Sequence, residues 1–312
     1  MFNMLDMKEF GSKLRQIREE KKLTRKAILE THGVTVETLR KLEKGLVIPQ
    51  LQTLQVLSIA YHTDLILLFN QYKSQNILVN TQDLVDKLLI EHANTVDSLE
   101  DYMIDESYLS DVNKLDVIEV KQFNSLCKLI PLTNTDSIDK SEIAINGLID
   151  SIKLHHEDYQ LENTSAYSYT YMELRLLLVL GITLAHIKRL NESEIIFLEI
   201  EKQLDINAFS SSMAKKLYVK LLFNMAYNYH IKDKNEKVLE ITDKCLDFLN
   251  KFDSSYYMEV ILYRKAVAQH NLGLKDKMRT FSHVRAIMEI KGLHKQLELY
   301  ADITRKRYNI EL

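Results

Sequence analysis

Residues 23–45, LTRKAILETHGVTVETLRKLEKG, read as two short helices and a tight turn. Thr24 is a good N-cap for the first, because its hydroxyl can accept an orphan N–H of the opening turn. Ala27, Ile28 and Leu29 are its apolar residues. His32-Gly33 ends it, since glycine tolerates the left-handed backbone that such a stop usually needs. Thr35 caps a second helix with Leu39 and Leu42 at i, i+3, and Gly45 closes it. A helix, a short Gly-containing turn and a second short helix make a helix-turn-helix.

Working outward, residues 7–21 form a preceding helix with Phe10, Leu14 and Ile17 at i, i+4, i+7. After the motif, residues 46–49 are a loop in which Pro49 stops any continuation. Residues 50–61 form a fourth helix, with Leu51, Leu54, Leu57, Ile59 and Ala60 as its apolar side. Thr63 caps a fifth, residues 64–72, carrying Leu65, Leu68 and Phe69. Five short helices make a small domain with one core.

The motif resembles the helix-turn-helix of the lambda-type phage repressors and of the small bacterial regulators that share it. The matching residues are LRQIREEKKLTRKAIL, GVTVETLRKLEKG, Pro49 and LQTLQVLSIAY, within residues 14–61. In that family an Arg of the first helix pairs with a Glu ending the recognition helix, which implies a structural ion pair between Arg18 and Glu43. The family's usual Gln after the cap is Arg25 here, and its Ala at the tight helix contact is Leu29. The resemblance implies base reading by Val36, Glu37 and Lys41, with Thr38 and Arg40 beside them. Lys41 can donate to guanine O6 or N7, Glu37 can accept from cytosine N4, and Val36 can touch a thymine methyl. Lys13, Arg25, Lys26 and Lys44 are candidates for phosphate contacts, which position rather than specify.

Composition agrees with this division of labour. The 312 residues carry a net charge of −3. Residues 1–72 hold 11 Lys and Arg against 8 Asp and Glu, a basic head of +3, while the remainder stands at −6. Two prolines and seven glycines are far below average usage and point to nearly uninterrupted helix. No apolar run is long enough for a membrane span, and the N-terminal residues are mixed rather than leader-like. Cys127 and Cys245 lie far apart without metal-like spacing and are expected to be reduced, so a cytoplasmic location is expected.

The domains expected are a helix-turn-helix DNA-binding domain at 1–72, a linker at 73–82 and a helical domain at 83–312. Beyond residue 83, LVDKLLIEH, EVKQFNSLCKLI, SEIAINGLIDSIKLHHED and SYTYMELRLLLVLGITLAHIKRL are each long enough for a helix. Breaks are expected at Pro131 with residues 133–136, and at 163–165, 210–212 and 253–255. Three later segments repeat weakly: LLLVLGITLAHIKRLNESEIIFLEIEKQL, LLFNMAYNYHIKDKNEKVLEITDKCLDFL and ILYRKAVAQHNLGLKDKMRTFSHVRAIMEI. Their turns recur about every 40 residues, as in known helical repeats. Gly181, Ala226 and Ala266 would let paired helices approach closely. The repeat resembles the tetratricopeptide pattern, without its Trp, regular Gly or terminal Pro. The fold class is therefore all-α, a five-helix head followed by a degenerate tetratricopeptide-like α-solenoid whose concave wall suits an extended peptide.

A helix-turn-helix head on such a body resembles the quorum-sensing regulators of the RRNPP family, which includes the Rgg, PlcR and PrgX groups. The resemblance implies a dimeric transcription regulator that binds double-stranded DNA and a short signalling peptide, with no cofactor. In the family, Asn side chains on groove helices hold the peptide backbone, and an Asn amide pairs with a peptide unit because it donates and accepts at once. Here Asn224 and Asn228 stand at i, i+4, with Tyr227 and His230 beside them. Tyr171 and Arg175 precede them, and Tyr263, Arg264 and Gln269 follow. Arg175 or Arg264 can clamp a carboxylate bidentately. An alternative is a regulator whose helical body only dimerises or binds a protein partner, and a third reading is an interaction scaffold without DNA binding.

An enzyme is not expected: there is no phosphate-cradling Gly loop, no GxSxG and no HExxH. His155-His156-Glu157-Asp158 reads as a solvated helix end, because neighbouring residues on a helix point apart. Asp97, Glu100, Asp101, Asp105 and Glu106 lack the EF-hand pattern and read as a solvated face. No metal site is expected.

Overall fold

The computed structural model describes residues 7–71, 99–100, 103–105, 114–133, 135, 137–204 and 212–312. The chain divides into two compact units, Met1–Cys127 and Lys128–Leu312. The expected linker at 73–82, the segment LVDKLLIEH, the break at 210–211, and Asp97, Asp101 and Glu106 lie outside the described residues. Among the described residues every regular element is helical, and none is long and apolar enough to cross a membrane.

The first unit carries α1 (Met7–Glu20), α2 (Arg25–His32), α3 (Val36–Glu43), α4 (Leu51–Tyr61) and α5 (Leu65–Gln71). Phe10, Leu14, Ile28, Leu39, Leu42 and Leu57 are buried at its centre, and Phe10 meets Phe69 edge to face at 5.1 Å. The caps follow the sequence: the Thr24 hydroxyl accepts from Ala27 N–H at 3.0 Å and the Thr35 hydroxyl from Thr38 N–H at 3.1 Å. Gly33 and Gly45 take left-handed φ values of 74° and 66°. At Gly45 this freedom is doubly needed, because a Cβ there would strike the Met7 carbonyl. Gly11 lets α1 rest on the end of α3, where a Cβ would lie 2.5 Å from the Leu42 carbonyl oxygen.

Three local expectations change. Asp64, not Thr63, caps α5, accepting from Ile66 N–H at 3.0 Å, while the Thr63 hydroxyl is turned back on the Tyr61 carbonyl. In α4 the buried residues are Leu54, Leu57, Ala60 and Tyr61, whereas Leu51 and Ile59 face outward. Leu29 is likewise exposed and Ile28 fills the α2 contact, so the packing there does not use the residue at the family's Ala position.

α6 (Lys114–Thr133) runs across the boundary between the units, and the second continues with α7 (Ile138–Lys153) and a 3-10 turn, Leu161–Ala166, where the sequence indicated only a break. Pro131 does not end α6: proline forfeits its own backbone bond, and the helix runs on to Thr133, whose hydroxyl returns to the Ile130 carbonyl at 2.8 Å. Three helical pairs then follow, α8 (Tyr171–His186) with α9 (Leu190–Gln203), α10 (Ser212–Ile231) with α11 (Asn235–Lys251), and α12 (Met258–Asn271) with α13 (Lys277–Ile290), before α14 (His294–Tyr308). These pairs coincide with the repeats read from the sequence. The first helices of successive pairs touch one another, α8 with α10 and α10 with α12, as a stacked solenoid requires.

One turn geometry recurs. Lys188, Asp233, Gly273 and Gly292 each adopt left-handed φ. In each turn the residue after it donates five residues back: Arg189 N–H to Leu184 O, Lys234 to Tyr229, Leu274 to Gln269 and Leu293 to Met288, all at 2.8–2.9 Å. Each left-handed residue itself donates to the carbonyl three residues back, which completes a Schellman turn. Only two of the four carry glycine.

Polar bonds link the pairs. The Ser193 hydroxyl donates to the Gly181 carbonyl at 2.7 Å and accepts from Asn228 Nδ2 at 2.8 Å, joining α8, α9 and α10. The same Gly181 lies against the Phe197 ring, where a Cβ could not fit. Gly181→Ala should therefore force the ring aside and destabilise the body by about 1–3 kcal/mol, measurable as a lowered midpoint in urea unfolding. Unchanged stability would show that the ring relaxes without cost.

Candidate nucleic-acid interface and ligand groove

α3 presents Val36 and Glu37 in its first turn and Lys41 in its last, all exposed, with Thr38 and Arg40 half-buried beside them. The Thr35 and Thr38 hydroxyls share a hydrogen bond of 2.7 Å, which fixes the cap. Arg40 grips the Glu37 carboxylate with two bonds, 2.8 and 2.7 Å, and Lys41 Nζ lies 3.8 Å from it. The Arg40 hydrogen bonds are the main cause that holds Glu37 down at about 2, so it is charged at any physiological pH. Reading a cytosine with Glu37 requires opening this exposed pair, which costs little because water screens it. Lys26, 3.8 Å from Glu30, and Lys44, at the C-cap of α3, are exposed, and Lys13 donates to Gln16 at 3.2 Å.

Beneath this face Glu43 is buried. Its carboxylate takes Arg18 Nε at 2.5 Å and Nη2 at 3.2 Å, and Arg18 Nη1 also donates to the Leu23 carbonyl. The hydrogen bond to Glu43 raises the Arg18 pKa, against a smaller opposing effect of burial. Arg25 joins the same carboxylate from α2, through Nε at 3.0 Å and Nη2 at 2.5 Å. The predicted phosphate-contacting Arg25 is thus also a member of the buried ion cluster. Arg18 also lies 3.4 Å from the Glu19 carboxylate, and Arg25 is the member of the cluster that stands at the start of α2.

In the body, Arg264 on α12 lies over the Tyr227 ring at 4.7 Å and the Phe223 ring at 5.7 Å, both on α10. Burial lowers its pKa, opposed by the phenols of Tyr300, Tyr227, Tyr263 and Tyr308. No carboxylate among the described residues pairs with it. Close by, His230 is held below its ordinary value, first by burial and then by Arg264. The sequence reading missed Phe223, and also Tyr300 and Tyr308, which stand on α14, outside the repeat.

The other predicted ligand contacts are placed differently. Asn228 is buried and bonds Ser193, so it joins helices, although its Oδ1 has no hydrogen-bond partner. Asn224 is half-buried and donates to the Lys220 carbonyl of its own helix at 2.8 Å. The Tyr263 hydroxyl meets Thr304 at 3.0 Å in the core, and Gln269 is buried with an unpartnered Oε1. Tyr171 and Arg175 sit in the opening turns of α8, half-buried and buried respectively. His155 and His156 do not form a solvated helix end: both face the buried Glu173 across the sequence, because the chain turns back after α7.

Residues 14–68 match the family model described as Helix-turn-helix, HTH_3. They are a helix-turn-helix domain. No curated protein sequence matches the chain significantly, but solved structures do. Bacillus thuringiensis PlcR, in complex with the peptide PapR7 and DNA, superposes with a TM-score of 0.69 at 16% identity, over 94% of this chain and 99% of that one. The Streptococcus dysgalactiae SHP pheromone receptor Rgg2 gives 0.55 at 14% identity, over 95% and 99%. ComR from S. thermophilus, in complex with DNA and its signalling peptide ComS, gives 0.53 at 16%, over 91% and 94%. At these identities the likeness is one of fold: a helix-turn-helix head followed by a tetratricopeptide-like helical body.

Replacing Glu43 with Gln leaves two guanidiniums facing each other without their anion. The head should lose about 3–5 kcal/mol, the usual cost of breaking a buried pair. Arg25→Ala, which removes the more exposed partner, should cost less. Urea unfolding of the full chain followed by circular dichroism orders the two; equal losses would make Arg25 as structural as Glu43.

Proposed function

We propose that this protein is a transcription regulator that binds duplex DNA as a homodimer through α3 and is controlled by a short signalling peptide in the groove of its helical body. The head supports the first half: its reading residues are exposed on the recognition helix, Val36 and Glu37 in the N-terminal turn where base edges are met. Arg25, the more exposed guanidinium of the Glu43 cluster, stands at the start of α2, suited to a phosphate.

The observation that carries the second half is Arg264, a cation stacked among aromatic rings without an anion of its own. A guanidinium removed from water in this way is costly unless paired, and a bidentate carboxylate is its best partner. The C-terminal carboxylate of a peptide supplies one. The Asn228 Oδ1 and Gln269 Oε1 atoms are acceptors for peptide N–H groups, although each requires a side-chain movement to reach them. The fold-level likeness to PlcR with PapR7 and DNA, and to ComR with DNA and ComS, points the same way. Control then follows as a population shift: the peptide prefers one arrangement of the paired bodies, which sets the spacing of the heads.

Gel shifts on DNA upstream of the protein's own gene, with and without synthetic pentamer-to-octamer peptides, test this reading. Free-acid peptides should change the DNA affinity, while their C-terminal amides should not. Arg264→Gln should abolish the peptide effect and leave basal DNA binding intact. A peptide-independent complex would favour a body that only dimerises or binds a protein, and no complex at low salt would leave a scaffold.

Within the head, Lys41→Ala should relax preference at one base pair by about 1–3 kcal/mol, as read by a binding selection. Arg25→Ala should weaken all sequences alike. An unchanged base preference in the Lys41 variant would remove that residue from the reading set.

A further inference from the structure

The turn between α7 and α8 brings together three groups that the DNA and peptide readings do not use. His155 and His156 follow the end of α7, and Glu173 stands in the first turn of α8. The Glu173 side chain is fully buried, with one oxygen 3.0 Å from His155 Nδ1 and 3.3 Å from His156 Nε2. Its other oxygen accepts from Thr170 N–H at 2.7 Å, while Glu173 N–H donates to the Thr170 hydroxyl in a capping box. The carboxylate is thus held rigidly from behind, which is what outer hydrogen bonds do for a metal ligand.

The three donor atoms all lie within 4.8 Å of one another. His156 Nε2 is buried and makes no hydrogen bond of acceptable geometry, despite its nearness to the carboxylate. His155 Nδ1 does share a hydrogen bond with the same Glu173 oxygen, so the two imidazoles differ. The unaligned His156 nitrogen beside that oxygen is the disposition of a ligand around an ion rather than of a donor and its acceptor. His156 is walled by Tyr167 and Tyr169, with ring centroids at 4.7 and 5.4 Å. Tyr169 is fixed by its hydroxyl donating to the Thr164 carbonyl at 2.6 Å. The partly exposed His155 leaves one side open for entry.

We propose that His155 Nδ1, His156 Nε2 and Glu173 bind a divalent transition ion of the zinc type. Two imidazoles and one carboxylate form a borderline donor set that suits zinc and its neighbours better than calcium or magnesium. With nitrogen and oxygen bonds of about 2.0–2.2 Å, three protein ligands leave a fourth position for water. The ion neutralises the buried carboxylate and ties the end of α7 to the start of α8. The inference rests on this geometry alone and is independent of the peptide reading.

Cobalt(II) is the spectroscopic probe. The chelator-stripped full chain should take up one equivalent of Co²⁺ with visible ligand-field absorption, and added Zn²⁺ should displace it. Zn²⁺ should raise the melting temperature, while Mg²⁺ and Ca²⁺ should not. His156→Ala and Glu173→Gln should each lose the absorption and the thermal shift with helix content unchanged by circular dichroism, since Gln still fits the capping box. If His156→Ala loses helix, Glu173→Gln alone decides. Absorption that survives in Glu173→Gln, or a stripped protein that takes up no Co²⁺, overturns the site and leaves an imidazole–carboxylate contact only.

Discussion

The head depends on the carboxylate of Glu43, on which three helices converge. It ends the recognition helix, while Arg18 comes from α1 and Arg25 from the first turn of α2. Because a buried anion without partners is prohibitively costly, these helices are held in one mutual arrangement rather than several. The arrangement also sets where the exposed residues of α3 stand. Tyr61, fully buried from α4, has its pKa raised chiefly by that burial and secondarily by the same carboxylate, so a fourth helix packs beside the cluster. An electrostatic constraint below the surface thus positions a face of Val36, Glu37 and Lys41.

The body is organised by a different constraint, the geometry of its turns. Each helix that closes on a Schellman turn must place one residue in the left-handed region, a penalty of about 1–2 kcal/mol for a residue with a Cβ. Lys188 and Asp233 accept it where Gly273 and Gly292 do not have to. Identical turns give identical pair geometry, so each first helix stacks on the one before it. Close approach at Gly181 and the Ser193–Asn228 bond then seal the first two pairs. Arg264 lies on α12 with its rings supplied by α10 and its phenol neighbours by α14.

Much of this was legible beforehand. The caps Thr24 and Thr35, the glycine stops, the pairing of Arg18 with Glu43 by family resemblance, and the three repeats all follow local patterns of a few residues. What was misread depended on direction. Leu29, Leu51 and Ile59 have the right hydrophobicity for a core but point outward, and a helical stripe does not say how wide the covering neighbour is. The bond of Asn228 to Ser193 on a neighbouring helix was not legible from its spacing to Asn224. His155 and His156 were read as solvent-facing, because nothing in the local sequence signals that Glu173, after an intervening turn, folds back against them.

The sequence by itself determined the helical class, the helix-turn-helix, its caps and the repeat period, since these arise from interactions between residues three to six apart. Only the tertiary structure decided that Arg25 shares the Glu43 carboxylate, that Arg264 lies among aromatic rings with no carboxylate partner among the described residues, and that two histidines meet a buried glutamate. Those outcomes depend on which faces of separate helices are brought together, and on the low-dielectric surroundings that make a buried charge seek a partner. Spacing along a chain carries no record of either.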